Sequence, residues 1–436
     1  MNSAQQQYKI TKATVTGDRF SLEIDIRATI IELVLFEDIE KPYITGSIAV
    51  MDDAGVYDGI NFMGTERLNI IMASEDTSLS PVMERTFIMS GIDNIIKSTD
   101  NGTASVYVFS LIDEHALVSK SKKISRTVRG KVETEIQKIC TTDLNKGVDV
   151  SYMSESAQSN MKVLIPYMNP LQACEWLRQR ATTDTGLPFF LYASIHDDNI
   201  RLGNLEVMLE QEAWNAKLPY IYSPSNIIRA EDQSFAQKTM VIQSMKSSKV
   251  QNTMQLMMNG GVGSLYNNTN LNTGRTTSTK FNATEFLTEL KERGIITKDQ
   301  NVIDDAYTTT EGLTLSESNA QIYHTVTSSG TYDRYKSYHD EFDAGKFKLK
   351  MKNVAMRNML YKNMFDVTVP GAGFIVSKAS VGDIVKLNVL SDNSDPDSED
   401  KFDKLRSGEF LIYNARHTFK DTRHDVAMTV CKIVRN

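Results

Sequence analysis

Two stretches of the chain decide its fold: Phe87-Ile88-Met89-Ser90-Gly91-Ile92 and Phe410-Leu411-Ile412-Tyr413-Asn414-Ala415. Each stretch opens on a phenylalanine and continues as an apolar, strand-like run. Each is followed by a polar turn and then by a second strand-like run, Val106–Leu111 in the first case and Val426–Cys431 in the second. The same order of elements in both places predicts two long hairpins of one kind.

A glycine also leads into a strand ahead of each hairpin. Gly64-Thr65-Glu66 precedes Leu68–Met72, and Gly382-Asp383 precedes Ile384–Val389. We interpret the pattern as an internal duplication that produces two similar β-domains. Such hairpins are common, so chance similarity is the alternative. If the duplication is real, three chains around an axis present six similar domains, and a three-fold object can then meet a six-fold one.

The region around the first hairpin contains several further strand signals. Phe20–Ile30 alternates apolar and polar residues, which is typical of a strand with one buried face. Asn101-Gly102 suits the tip of a hairpin, because glycine accepts a positive φ angle. Residues 1–115 are therefore predicted to form a small antiparallel barrel or sandwich. The other strand-like runs in it are Ile44–Val50, Leu68–Met72, Thr86–Ile96 and Ser105–Leu111.

Helical spacing appears in the next part of the chain. Lys131–Thr142 has apolar residues on one helical face, and a second helix starts after Asn169, an N-cap residue that is followed by proline. A hairpin of Phe189–Ala193 and Ile200–Leu205 follows these helices. We therefore predict a separate α+β domain over 116–222.

A less regular region interrupts the second half. Asparagine, glycine, serine and threonine dominate 259–279, which we interpret as a loop or linker. A short helix is predicted to begin at Asn282 and to stop at Gly294, and a longer helix is predicted over Asp340–Lys362. We expect 259–362 to be an insertion of loops and helices.

The end of the chain is β-rich again, with strands expected at Phe365–Val369, Ile384–Val389, Glu409–Phe419 and His424–Val434. An acidic stretch between 392 and 403 interrupts these strands and is predicted to be a solvated loop. Residues 223–258 and 363–436 together are predicted to form the second barrel. The expected fold class is thus β-rich α+β: two similar antiparallel β-barrels with an α+β domain between them and an inserted helical and loop region.

Composition limits the classes of function. The chain has 436 residues, which suggests about three domains, and a hydrophobic content of 41%, which is ample for packed cores. No apolar run approaches the length that crosses a bilayer, and the first residues lack the pattern of a secretory signal, so we expect folding in a cytoplasm. The formal charge of −7 argues against a protein that grips nucleic acid through its phosphates.

No motif for catalysis, metal binding or cofactor binding is found in the sequence. The glycine-rich segment Asn259–Ser264 lacks the lysine of a phosphate-binding loop, and the three widely separated cysteines fit core positions better than a zinc site or a disulfide framework. His417 and His424 flank a predicted turn, where a cross-strand or surface role is usual. Glu23 and Asp25 are on the wet face of a predicted strand, which explains them without catalysis.

Motifs at both ends of the chain resemble one known family. The pattern from Ile44 to Asp52, followed by Gly64–Leu68, resembles the first β-domain of baseplate hub proteins from contractile-tailed bacteriophages. The end of the chain is similar to the same family through Phe365–Pro370, the turn at Val381-Gly382-Asp383 and Gly408–Ile412. The hub portion of type VI secretion spike proteins shares this architecture. Nothing in 259–340 matches the family.

The resemblance implies a structural protein of the virion tail baseplate that is not an enzyme. It implies a homotrimer with two tube-like β-domains per chain, which adapts a hexameric tail tube to a trimeric central spike. Other expected partners are further baseplate proteins and the tape measure protein. DNA would pass through the enclosed channel without specific binding, and Glu23 and Asp25 are our candidates for lining that channel. We expect no cofactor, no metal and no membrane insertion.

Two other functions compete with this interpretation. One is a cell-wall hydrolase of the tail tip, against which stands the absence of a recognisable nucleophile, metal or paired-carboxylate motif in the sequence. The other is a carbohydrate-binding β module, for which two tryptophans offer little support.

Overall fold

The computed structural model describes residues 8–53, 55, 57, 62–73, 83–97, 105–154, 161–222, 240–250, 253–271, 273–296, 307–327, 344–360, 363–391, 402–403 and 406–432. The protein is β-rich, as predicted. The strands are β1 (Lys9–Gly17), β2 (Phe20–Asp25), β3 (Ile30–Asp38), β4 (Thr45–Asp52), β5 (Glu66–Ala73), β6 (Met83–Lys97), β7 (Ser105–Asp113), β8 (Thr127–Gly130), β9 (Val148–Asp149), β10 (Met161–Leu164), β11 (Phe189–Ala193), β12 (Ile200–Asn204), β13 (Tyr220–Tyr222), β14 (Ser244–Val250), β15 (Gly263–Asn270), β16 (Arg275–Asn282), β17 (Gln321–Thr327), β18 (Asn363–Pro370), β19 (Ile384–Val389), β20 (Gly408–Lys420) and β21 (Arg423–Lys432). The helices are α1 (Glu114–Ser121), α2 (Val132–Leu144), α3 (Pro170–Arg178), α4 (Leu205–Glu210), α5 (Thr253–Met258), α6 (Ala283–Glu292), α7 (Ala344–Leu360) and α8 (Ala372–Ser377).

The main sheet contains two copies of one strand arrangement. Its 13 strands follow the order β14-β18-β21-β20-β3-β4-β7-β6-β5-β1-β2, with β19 beside β20 and β13 beside β19. We name β3 to β7 the first β-unit and β14 with β18 to β21 the second β-unit. The orders β3-β4-β7-β6-β5 and β14-β18-β21-β20-β19 are the same, and all pairs within them are antiparallel. The expected duplication is therefore confirmed at the level of strand order.

An irregularity in the same place strengthens the match between the two units. β6 bulges at Ser90, between its pairs with Leu111 and Ser110 of β7, and β20 bulges at Tyr413, between its pairs with Val430 and Thr429 of β21. A bulge inserts one residue and bends the strand, so it fixes the alignment of the two copies. The outer neighbours differ in direction, because β1 is antiparallel to β5 whereas β13 is parallel to β19.

The prediction of two closed barrels is not confirmed, because the strands form one open sheet. β20 is long enough to pair with β19 through its first residues and with β3 through Asn414–Lys420. The two units therefore share a strand boundary and merge into a continuous sheet. The four-part division of the chain that the sequence suggested stays a prediction, and β13, which it assigned to the α+β domain, pairs with β19.

The single strand predicted over Phe20–Ile30 is wrong in its second half. β2 ends at Asp25, and a 3₁₀ turn over Arg27–Thr29 separates it from β3. Asp25 causes the turn, because its carboxylate accepts from the backbone N–H of Arg27 at 3.0 Å and from the Arg27 side chain. Aspartate side chains often redirect the chain in this way, and the apolar alternation did not reveal it.

The loop predicted over 259–279 is also wrong, because β15 and β16 form a hairpin there. Eight residue pairs join the two strands, from Gly263 with Asn282 to Asn270 with Arg275. Polar side chains bond across the hairpin, and the Ser278 hydroxyl donates to Asn267 Oδ1 at 2.6 Å. The sequence missed this hairpin because its strands lack the apolar face on which strand prediction depends.

Most helix predictions are confirmed, with small shifts at the ends. Asn169 caps α3 in a capping box with Gln172, and Asn282 caps α6, accepting from Thr284 N at 2.9 Å. The predicted hairpin is present as β11 and β12. Asn101-Gly102 lies outside the described residues, as do 340–343 and 361–362 of the predicted long helix and most of the acidic stretch after 391.

The core consists of three buried apolar clusters. One fills the first β-unit and a second fills the second β-unit with α6 and α7, while the third lies between α2 and α3. Ala193, the last residue of β11, and Ile195 pack into the cluster of the first β-unit. All three cysteines occupy buried core positions, as predicted, and the Sγ atoms of Cys140 and Cys174 are 3.8 Å apart without a disulfide. In the described part of the chain, no helix has the length and apolarity to span a membrane.

Candidate assembly interface

The two β-units are joined edge to edge where β20 pairs with β3. Seven residue pairs form this join, from Asn414 with Asp38 to Lys420 with Glu32. We name this seven-pair segment the join. Main-chain hydrogen bonds run through it in register, so the two units are connected as neighbouring strands of one sheet are. One chain therefore already contains one complete contact between two like β-units.

A buried carboxylate holds the join together. Glu37 on β3 is fully enclosed and accepts from the backbone N–H of Ile195 at 2.6 Å. It also accepts from the Ser380 hydroxyl at 3.0 Å, and His417 Nε2 lies 3.4 Å from its second oxygen. Burial, the largest single cause, would raise the pKa of Glu37, but the hydrogen bond and charge of His417, the charge of His196 and the hydrogen bond from Ile195 together hold the pKa below its usual value. Glu37 thus binds the middle of the chain and the second β-unit to the first.

Two histidines stack behind Glu37. His417 Nδ1 lies 3.1 Å from His424 Nε2, and the ring of His424 stacks on Phe419 with 4.2 Å between centroids. Burial, together with the charge of neighbouring His417, lowers the pKa of His424 well below its usual value. The ring fits closely against Gly371, where a Cβ atom would lie 2.1 Å from His424 Nδ1. The sequence offered a cross-strand role or a surface role for these histidines, and the structure shows a buried cross-strand pair.

A second polar cluster lies beside the join, around Glu40. Its carboxylate accepts from Arg178 Nη2 of α3 at 2.8 Å, from Arg357 of α7, and from the Tyr413 hydroxyl at 3.2 Å. Both arginines also donate to the carbonyl oxygen of Phe189, at 2.5 and 2.8 Å. Glu40, which also accepts from the bulge residue Tyr413, therefore attaches α3 and α7 to the main sheet.

A third buried ion pair lies within the first β-unit, and its arginine also bonds to the turn between β11 and β12. Arg85 Nη2 of β6 lies 2.6 Å from Asp113 Oδ1, and both side chains are almost fully enclosed. Asp113 also accepts from the backbone N–H of Ile44 at 2.6 Å, and Arg85 donates to the carbonyl oxygen of Asp197. The sequence did not reveal these buried charged residues, because most of their partners are distant along the chain.

The predicted channel-lining residues lie elsewhere, on β2 at the far end of the sheet. Glu23 is 3.6 Å from Lys12 Nζ, and Asp25 is 2.6 Å from Arg27 Nη2. Hydrogen bonds from Arg27 lower the pKa of Asp25, so this carboxylate is charged at neutral pH. Both side chains are exposed, as the alternation predicted, but each carboxylate is partly neutralised by a neighbouring cation.

The described residues contain no cluster of three or more histidine, cysteine, aspartate or glutamate side chains that could hold a metal ion. A polar cavity of about 970 Å³ opens between strands β5 and β6 of the first β-unit and the segments 113–122, 142–146 and 196–198. Acidic side chains outnumber lysines among the residues that line it, which include Glu84, Asp197 and Lys146. Asp52, at the end of β4, accepts from the backbone N–H of Tyr57 at 2.9 Å.

No protein-family model matches the chain, and no curated protein matches it. Among solved structures, the tail protein from Neisseria meningitidis MC58 is similar, with 11% identity and a TM-score of 0.56 over 98% of this chain and 96% of that chain. The 43 kDa tail protein of prophage MuSo2 from Shewanella oneidensis has 10% identity and a TM-score of 0.52 over 97% and 98% of the two chains. At such identities, these similarities establish the fold. The resemblance to baseplate hub proteins is therefore confirmed at the level of the fold, which this chain shares with tail proteins of this kind.

Proposed function

We propose that the chain is a structural hub protein of a contractile phage tail baseplate, acting as a homotrimer that joins a hexameric tail tube to a trimeric central spike. One observation carries the proposal: a single chain contains two like β-units that are already joined edge to edge. Three such chains around an axis supply six like units in a ring, which is the geometry that a three-fold to six-fold adaptor requires.

The polar clusters at the join support this role. Glu37, Glu40 and Arg85 each bind residues from two or three different parts of the chain. Removing one partner of a buried ion pair is costly, so the two units are held in one relative position. A ring made from such chains inherits this rigidity, which suits a part that connects two other assemblies.

The proposed partners follow from this position in the tail. The trimer would bind the central spike on one face and the tube on the other, with further baseplate proteins and the tape measure protein as neighbours. It would assemble in the host cytoplasm and be carried in the virion, with no enzymatic activity of its own. DNA would pass through the channel during ejection without specific binding, which agrees with the formal charge of −7 per chain, or −21 for three (3 × −7).

We further propose that Glu23 and Asp25 line this channel. Both are exposed on β2, and a carboxylate surface repels phosphates rather than retaining them. Their ion pairs with Lys12 and Arg27 make the surface close to neutral, which also permits DNA to slide.

The oligomeric state tests the proposal directly. Light scattering on the purified chain should give a mass of 147 kDa (3 × 49.0 kDa), because the ring closes with three copies. Electron microscopy of the same sample should show a ring with six similar lobes. A dimer, or a monomer at micromolar concentration, would contradict the trimer. Release of fragments from peptidoglycan, or binding to a glycan array, would instead favour the hydrolase or the carbohydrate-binding module.

A further inference from the structure

The end of β6 is an open strand edge in a position that is covered in the other copy. The first part of β6, Met83–Met89, pairs with β5, but Gly91–Lys97 pairs only with β7 in the described part of the chain. The equivalent second part of β20 pairs with both β21 and β3. β14, the counterpart of β3, pairs only with β18 among the described residues. In the described part of the chain, the first β-unit therefore has an unpaired strand edge at Gly91–Lys97, and the second has an unpaired strand edge along β14.

The exposure of side chains follows the same difference. The bulges at Ser90 and Tyr413 align Ile92 with Ala415. β6 has a second bulge at Asp93, which β20 lacks, so the pairs with β7 and β21 align Ile95 with His417. Ile92 and Ile95 are 40% and 48% exposed, whereas Ala415 and His417 are 2% and 0% exposed. Ile96, which aligns with Thr418, is 53% exposed. An open edge that carries three exposed isoleucines is a surface on which another strand pairs readily.

We propose that Gly91–Lys97 of β6 pairs antiparallel with β14 of a second copy of this chain, and so repeats between subunits the join that β20 and β3 make within one. The occupant is set by the duplication, because the strand that covers this position in the other unit is β3 and its counterpart is β14. This inference rests on the proposed homotrimer and names the strands that close it.

The internal join also fixes the register of the proposed contact. In the first β-unit, Val34, Ser47, Ser110 and Gly91 lie in one row across the sheet, and the matching row of the second unit is Lys246, Asp366, Thr429 and Asn414. Val34 is therefore equivalent to Lys246. Because Thr418 pairs with Val34, its counterpart Ile96 should face Lys246 of the second copy.

The neighbouring pairs follow from the same alignment. Ile95 should face Ser247, and Lys97 should face Met245, because His417 pairs with Leu35 and Phe419 with Leu33. Ser247 and Lys246 are exposed, and Lys246 Nζ lies 3.9 Å from Asp366 of the neighbouring strand β18. The second copy would then cover the exposed isoleucine side chains, as β3 covers their counterparts in the join.

Disulfide cross-linking tests the pairing and its register. The double variant Ile96→Cys/Lys246→Cys, oxidised and run on a non-reducing gel, should form a ladder that ends at three chains. Residues directly opposite in antiparallel strands have Cβ atoms close enough for a disulfide, and the three native cysteines are buried. The matched control is Glu23→Cys/Lys246→Cys, in which the first cysteine is exposed on β2 and should give no ladder.

The outcomes separate this inference from the proposed function. Trimers by light scattering without cross-linking at Ile96–Lys246, Ile95–Ser247 or Lys97–Met245 would overturn the strand pairing and leave the trimer standing. A ladder that continues beyond three chains would support the pairing and overturn the closed trimer. A monomeric mass without any ladder would overturn both.

A charge test needs no cysteine. Ile96→Lys would place like charges opposite each other at Lys246, whereas Ile96→Glu would place an opposite charge there. The glutamate variant should associate about 5-fold more tightly per contact than the lysine variant. Equal association constants for the two variants would overturn the register.

Discussion

The second parts of β6 and β20 are equivalent strands with opposite surroundings. β20 pairs with β3, and Glu37, His417 and His424 are buried at this contact. The end of β6 has an open edge among the described residues and carries exposed isoleucines rather than polar groups. The comparison teaches that a permanent contact inside one chain can contain a polar network whose members are held in place during folding. A contact between chains must form from exposed surfaces, for which apolar side chains cost less to desolvate.

The largest loss of stability should come from replacing Glu37 at the centre of the join. In Glu37→Gln the amide oxygen can keep the place of Oε1, to which Ile195 N and Ser380 Oγ both donate. The N–H₂ group then replaces Oε2, which accepts from Val381 N at 3.4 Å and lies 3.4 Å from His417 Nε2, and the negative charge beside His417 is lost. We expect the free energy of unfolding to fall by about 3–5 kcal/mol, measured by denaturant titration. The control is Glu32→Gln on the same strand, which is only partly buried and should cost far less. Equal losses for both variants would show that the Glu37 carboxylate does not hold the join.

A smaller loss of stability should follow from adding a side chain at Gly46, where β4 packs closely against β3 next to the join. A Cβ atom on Gly46 would lie 2.3 Å from the carbonyl oxygen of Val34, which is backbone and cannot turn away. Gly46→Ala should therefore push β4 away from β3 and cost about 1–3 kcal/mol of stability. The matched control is Gly91→Ala on β6, where nothing lies within 4 Å of the new atom. The idea fails if the two variants unfold at the same denaturant concentration.

Acid should weaken the join through His424. Its pKa in the folded protein is well below 6.5, so below that pH the unfolded chain binds a proton that the folded protein does not. Stability is therefore lost as the pH falls, by at most about 1.4 kcal/mol per pH unit. His424→Gln removes this group, so the difference in stability between the natural protein and the variant should shrink between pH 6.5 and 5.

Asp383 acts with the opposite sign in part of this range. Burial raises its pKa to about 6, so its contribution to stability is lost as the pH rises through that value. The comparison with His424→Gln cancels this contribution, because both proteins contain Asp383. The control is His324→Gln on β17, an exposed histidine, whose stability should run parallel to that of the natural protein. Parallel curves for His424→Gln as well would rule out the histidine as the acid-sensitive group.

The comparison of the two units also shows what the sequence could predict. The hairpins that open on Phe87 and Phe410 were visible because apolar residues, glycines and turns recur in the same order, and their alignment agrees with the bulges at Ser90 and Tyr413. The continuous sheet could not be predicted, because pairing between β3 and β20 joins residues far apart in the chain. Local patterns contain no information about which edges meet.

The same limit applies to the residues of the candidate interface. Glu37 directly follows the apolar run Leu33–Phe36 of β3, and this position is the one signal that could have identified a buried carboxylate with partners elsewhere. His417 and His424 flank a two-residue turn, which places them close together in any hairpin. Their burial depends on β3, and therefore on the contact that the sequence did not reveal.

The smallest loss of stability is expected for charge reversal at Glu23 and Asp25 on β2, which should separately affect DNA release. The double variant Glu23→Lys/Asp25→Lys should be slightly less stable than the natural protein, because the carboxylate that accepts from the backbone N–H of Arg27 is lost. It should form the same trimer, because both side chains are exposed. The new lysines would lie beside Lys12 and Arg27, so a near-neutral surface becomes strongly positive. If this surface lines the channel, DNA phosphates will be retained there, and complete particles should lose infectivity by slower DNA release. The matched control is Glu292→Lys/Glu311→Lys, which changes the formal charge by the same amount at exposed positions outside the main sheet. Equal infectivity of particles with the two double variants would show that Glu23 and Asp25 face away from the DNA path.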